Sequence, residues 1–198
     1  MTPRTQLGAA LALAALAAAA RADGPDETPY FPLRVGTTWT YRDADAPTAA
    51  KVVVKVAGHE KVGDVVCARL ETLRDGKATG YEHVAVTKDG VYRHTINGLR
   101  PDRPVLLLKL PPKGGDGWEV AGKLGNETFA GTVTTAEEAV AVPAGKYPAL
   151  VVTGKFRVGE AALASSHAFA RDVGVVRVRT EVKGQVVRLE LEKFEPGN

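Results

Sequence analysis

The sequence predicts an all-β protein of antiparallel strands, and three observations carry that reading. β-branched residues dominate beyond residue 22, with 26 valines and 15 threonines. Such side chains are stiff at χ1 and suit a pleated surface better than a helix. Turn signals recur at intervals of about 8 to 12 residues, the spacing of meandering antiparallel strands. They include Asp75-Gly76, Asp89-Gly90, Asn97-Gly98, Gly114-Gly115, Gly125-Asn126 and Lys183-Gly184. Apolar and polar residues also alternate: Val176, Val178 and Val182 against Arg177, Arg179 and Glu181, then Val187, Leu189 and Leu191 against Arg188, Glu190 and Glu192. That is the pattern of a sheet with one buried and one wet face.

The first 22 of the 198 residues are of another kind, with ten alanines, four leucines and no acidic residue. Arg4 supplies a positive start, an apolar run follows from Leu7 to Ala20, and Ala20-Arg21-Ala22 fits a cleavage signal for export. The 16 uncharged residues between Arg4 and Arg21 are mostly alanine, short and weakly apolar against the roughly 20 needed to span a membrane. Residues 1–22 are therefore read as a signal peptide, 23–29 as a short linker and 30–198 as one β-rich domain. The expected location is periplasmic or extracellular, with no membrane span after cleavage. No cysteine stands at the cleavage site, so lipid anchoring there is not expected. Removal of Arg4 and Arg21 leaves 24 basic and 23 acidic residues. The formal charge of +3 nearly vanishes, and with it any case for a nucleic-acid partner, which needs a concentrated basic patch.

Strands are expected near 37–43, 50–57, 64–73, 77–87, 91–97, 104–110, 118–124, 127–135, 137–142, 147–158, 162–170, 174–182 and 185–194. Residues 160–166 could instead form a short helix. In the first strand Trp39 and Tyr41 share a face, so both rings are expected in the core. Pro32 removes an amide donor and forces an extended backbone, so Tyr30 and Phe31 are expected to pack as a lid or edge. Cys67 alternates within an apolar strand and reads as a small buried hydrophobe. As a single thiol it excludes a disulfide framework. The run Val105-Leu106-Leu107-Leu108 is apolar on both faces, so its strand is either covered on both sides or lines an apolar cavity. The arginines of 174–182 are expected to pair with acidic residues on neighbouring strands.

Three local patterns resemble a family. Tyr30-Phe31-Pro32-Leu33-Arg34-Val35-Gly36-Thr37-Thr38-Trp39-Thr40-Tyr41, then Val142-Pro143-Ala144-Gly145-Lys146-Tyr147, then Phe169-Ala170-Arg171-Asp172-Val173-Gly174-Val175-Val176 stand in the order seen in a bacterial secreted family of unknown function, the TapB-like group. The resemblance spans roughly residues 30–195. It implies a fold like that of the periplasmic lipoprotein carriers: a single curved antiparallel sheet, or half-barrel, of about 11–13 strands over an apolar cavity. Arg171-Asp172 stands where such proteins commonly carry a Pro-Gly turn. The family supplies no catalytic residues.

Chemistry is sparse. His83 and His94 lie on adjacent strands, and their meeting depends on the register at Asp89-Gly90. A two-residue turn there sets Ala85 opposite His94, and a three-residue turn sets Val84 opposite it. The hydrophobic pattern favours the second, which sends His83 to the other face and disfavours a metal site. Ser165, Ser166, His167 and Asp172 suggest a hydrolase, but i and i+2 side chains of one strand stand about 7 Å apart, too far for a nucleophile and its base. No G-x-S-x-G elbow, phosphate loop or dinucleotide fingerprint occurs, so no enzyme activity and no cofactor are expected. The expectation is a non-catalytic protein that binds an apolar or lipid-like ligand in the concavity of its sheet. Tyr30, Phe31, Trp39, Leu106, Leu108 and Trp118 are the candidate contacts. The alternative is an assembly module that docks another envelope protein through a strand edge or through Tyr30-Phe31.

Overall fold

A computed structural model describes residues 25–198; the expected signal peptide lies outside the described residues. Twelve strands and no helix are found there: β1 (Thr38–Asp43), β2 (Val52–Val62), β3 (Val65–Arg74), β4 (Lys77–Thr87), β5 (Gly90–Ile96), β6 (Val105–Lys109), β7 (Gly117–Leu124), β8 (Glu127–Val142), β9 (Gly145–Val158), β10 (Ala161–Ala170), β11 (Gly174–Val182) and β12 (Gln185–Glu195). Two expectations are corrected. The segments 127–135 and 137–142 are one 16-residue strand, because Thr135, Ala136 and Glu137 keep pairing with Val152, Val151 and Leu150. The possible helix at 160–166 is a turn and the start of β10, paired to β9 from Ala161 onward.

All twelve strands form one antiparallel sheet, in the order β6-β5-β4-β3-β2-β1-β12-β11-β10-β9-β8-β7. Every chain neighbour is a sheet neighbour except β6 and β7, and β1 pairs with β12. The strands thus run up and down around a nearly closed barrel, further round than a half-barrel, with one seam between β6 and β7. Tight turns make this possible. Asp75-Gly76 and Lys183-Gly184 take positive φ at both central positions (49° and 72°; 50° and 78°), whose twist matches that of the flanking strands.

The seam is held by fewer ties than a ladder. Pro101 bridges Leu124, the Asp102 amide donates to the Lys123 carbonyl (3.0 Å), and Lys109 Nζ donates to the Gly117 carbonyl (3.1 Å) while lying over the Trp118 ring.

The interior is filled from one end by the segment before β1. Leu33 is fully buried and Phe31 is 6% exposed. The Phe31 ring stacks on Trp39 (centroids 6.0 Å apart) and meets the edge of Phe169 (6.1 Å). Trp39 Nε1 donates to the Val173 carbonyl (2.6 Å) and the Tyr41 hydroxyl to the Val175 carbonyl (2.8 Å). Since β12 lies between β1 and β11, these side chains reach across the interior. The β8–β9 tip crosses β11 and β12: the Ala144 amide donates to the Leu191 carbonyl (3.0 Å), Arg177 pairs with Glu138 (3.4 Å), and Val140 is buried. The three sequence motifs therefore meet, and most of their large side chains are packed in the core. Asp172 has φ of 64°, a conformation in which glycine is at ease.

On the wet face, Arg42–Glu190 (3.2 Å), Lys51–Glu192 (2.8 Å) and Arg188–Asp45 (3.4 Å) tie neighbouring segments, whereas the arginines of β11 pair otherwise than expected, Arg179 with Glu181 of its own strand (2.8 Å) and Arg177 with the crossing β8.

Candidate functional site

A cavity of about 140 Å³ remains inside the barrel, walled by Phe31, Trp39, Val54, Leu70, Leu107, Phe169, Val175, Val178 and Leu189, with Tyr41, Glu82, Arg93 and His167 as its polar groups. The apolar wall follows from strand alternation. Val54 and Leu70 project inward from β2 and β3, and Val178 and Leu189 are register partners on β11 and β12.

The polar groups come from four strands. Glu82 and Arg93 form an ion pair through Oε2 and Nε, each side chain a quarter exposed. They lie on β4 and β5 among core valines: Glu82 alternates with Val84 and Val86, and Arg93 with Val91. A charged residue at an inward position of a strand is costly unless paired, and here each supplies the other's partner. His167 faces them from β10. Removal from water pushes its imidazole down to about 4, and the Arg93 charge adds to that shift, so it is neutral near pH 7. Burial pushes the Tyr41 hydroxyl well above its usual range, with the Glu82 charge contributing. Tyr41 is a hydrogen-bond donor here and stays protonated.

Of the six residues expected to bind a ligand, only Phe31 and Trp39 line this cavity. Tyr30 sits outside it, on a surface depression with Arg171, Glu137 and Glu138. Leu108 is fully buried against the core. Leu106 lies against Gly90, the position at which any Cβ would collide with it. Trp118 belongs to the seam, under Lys109. The doubly apolar strand does reach the cavity, through Leu107. A register shift between Val91 and Tyr92 sets Leu108 opposite Val91 and Leu106 opposite Tyr92, leaving Leu107 as the extra residue. Phe31, the aromatic of the docking alternative, is 6% exposed, with its ring against Trp39 and Phe169.

The polar cavity residues not named as ligand contacts from the sequence are Tyr41, Glu82, Arg93 and His167, the last singled out only for a hydrolase. A signal for two of them was present: a carboxylate and a guanidinium occupy apolar-phase positions on adjacent strands. His167 alternates with Ser165 and Phe169 along β10, and its neighbouring serines drew it into a hydrolase reading instead of a ligand contact.

Elsewhere His59 and His83 are committed, His59 through Nε2 to the Leu33 carbonyl (2.8 Å). The β4–β5 turn is Lys88-Asp89, with Thr87 opposite Gly90, and a register shift near His94 places Thr95 opposite His83. Neither register expected from the sequence forms. His83 Nδ1 meets Thr95 Oγ1 (2.6 Å) and Nε2 meets Glu60 Oε2 (2.9 Å), so both its nitrogens are engaged. Among the described residues, no group of three or more His, Cys, Asp or Glu could hold a metal ion. Cys67 is fully buried, and burial pushes its thiol up to about 11 against the opposing effect of Arg100. The serines and His167 do not assemble a nucleophile: Ser166 accepts from Thr153 (3.4 Å), and the Asp172 side chain is exposed beside Arg171.

No protein-family model matches the chain, so the TapB-like resemblance stays one of motifs, and no curated protein matches it either. Two solved structures are similar. A candidate lipoprotein of Parabacteroides distasonis ATCC 8503 aligns over 86% of this chain and 100% of its own, at 15% identity and a TM-score of 0.57. A candidate exported protein of Bacteroides fragilis NCTC 9343, with a YmcC-like fold, aligns over 83% and 98% at 14% identity and a TM-score of 0.44. At such identity the first likeness is one of fold alone.

Proposed function

We propose that the protein is an exported, non-catalytic binding protein that holds one small, mainly apolar molecule inside its barrel. The observation that supports this is the cavity of about 140 Å³ between Phe31, Trp39, Phe169 and Leu107. Its size narrows the occupant. Drug-sized ligands take roughly 300–1,000 Å³, whereas an apolar cavity of about 150 Å³ accepts benzene. One ring or a chain of a few carbons fits; a lipid acyl chain does not fit without the barrel opening. The aromatic walls suit a flat ring, which can stack or meet them edge to face. The sequence features of export and the fold shared with a candidate lipoprotein agree with a role in the cell envelope.

The test is thermal unfolding with and without toluene. A ligand that binds only the native state raises the midpoint in proportion to the logarithm of its concentration over Kd. The rise should disappear in Leu107→Trp, whose indole fills the cavity. Equal shifts in the two proteins, or none in the wild type, would refute the reading.

A further inference from the structure

We infer that the molecule held in this cavity is a small carboxylate, bound through its acid group by Arg93 and His167 with its apolar part between Phe31, Trp39 and Phe169. The inference rests on the reading of the cavity as a binding site and adds the chemistry of the ligand.

The geometry of the Glu82–Arg93 pair carries it. The pair is made through Nε of the guanidinium, which has five N–H donors in a rigid fork. Contact at Nε leaves the terminal nitrogens for the cavity that Arg93 lines, and a fork of this shape matches the two oxygens of a carboxylate. Glu82 then fixes the guanidinium and neutralises it while the cavity is empty. An ion pair taken largely out of water is often no better for stability than apolar residues of similar volume, and this one stands in an aromatic-walled cavity. His167 strengthens the case. As a neutral imidazole it always keeps one N–H to donate, and neither of its nitrogens has a hydrogen-bond partner among the described residues. Neutrality matters because a charged His167 would add a second cation beside Arg93. An amine ligand has the opposite needs: it would meet Glu82, already satisfied, and be repelled by Arg93. A neutral ligand would leave the terminal N–H groups of Arg93 without a charged partner.

The experiment compares four probes of one shape, namely benzoate, benzamide, benzylamine and toluene, by calorimetric or NMR titration of the wild-type chain at pH 7. Benzoate should bind at least tenfold more tightly than benzamide, and benzylamine more weakly than either. Removing Arg93 alone would strand Glu82, so the paired variant Glu82→Gln/Arg93→Gln is used. It should bind toluene as the wild type does while losing the preference for benzoate. Toluene binding with benzoate no better than benzamide, or a benzoate preference that survives in the paired variant, overturns this inference and leaves the apolar site standing. Failure of toluene and benzoate alike overturns the binding reading itself.

Discussion

Tyr41→Phe removes one oxygen atom and tests whether the motif residues form a folding node. The ring of Tyr41 is 4% exposed and its hydroxyl donates to the Val175 carbonyl at 2.8 Å, across 134 residues of chain. Phenylalanine keeps the ring and leaves no cavity of consequence, so the change isolates the hydrogen bond. A typical bond contributes about 1 kcal/mol, and an acceptor left buried without its donor costs about 1–3 kcal/mol. Val175 is 9% exposed, so little water reaches its carbonyl in compensation. The expected loss is about 1–3 kcal/mol, or roughly 2–10 °C in Tm for a domain of this size. Urea unfolding followed by tryptophan fluorescence measures it, with m unchanged as the sign that only stability moved. Tyr147→Phe is the control, since that hydroxyl donates to Ala144 only three residues away (3.1 Å) from a partly exposed site; a change within about 0.5 kcal/mol is expected. Equal effects of the two substitutions would refute the idea that the interior bond is special.

Two further predictions concern single residues. The His167 imidazole titrates near 4 in the folded protein and near 6.5 unfolded. Above pH 6.5 both states are neutral; as pH falls from 6.5 towards 4 the unfolded state takes up the proton first, and stability is lost by up to about 3 kcal/mol. Glu82 and Arg93 face the ring from the cavity, and His94, whose value is also lowered by burial, adds in the same direction. The measurement is therefore the difference in pH slope between wild type and His167→Gln, and equal slopes would refute the assignment. At the β10–β11 turn, Asp172 has φ of 64° and a 75% exposed side chain, so substitution there tests backbone strain without loss of packing. Asp172→Gly should stay within about 0.5 kcal/mol, while Asp172→Val should cost about 1–2 kcal/mol; equal midpoints for the two would sink that account.

The fold class and most of the strand boundaries are legible in the residues alone, because alternation and turn chemistry are local. The side chains at i and i+2 of a strand share a face wherever the strand lies, and Lys183-Gly184 turns the chain whatever it is packed against. That Trp39 and Tyr41 are core is legible there too, since two large rings on one face have to be buried. What the site contains depends on how the sheet closes. Register shifts between Val91 and Tyr92 and near His94 changed which side chains oppose one another, and such irregularities depend on how the whole sheet curves. The meeting of Glu82, Arg93 and His167 depends on closure of the sheet through β1 and β12, which brings strands β4 and β10, far apart in the chain, to face each other across one interior. A charge at an inward position is legible in one strand; the partner that makes it tolerable stands on another, and only the fold places it there.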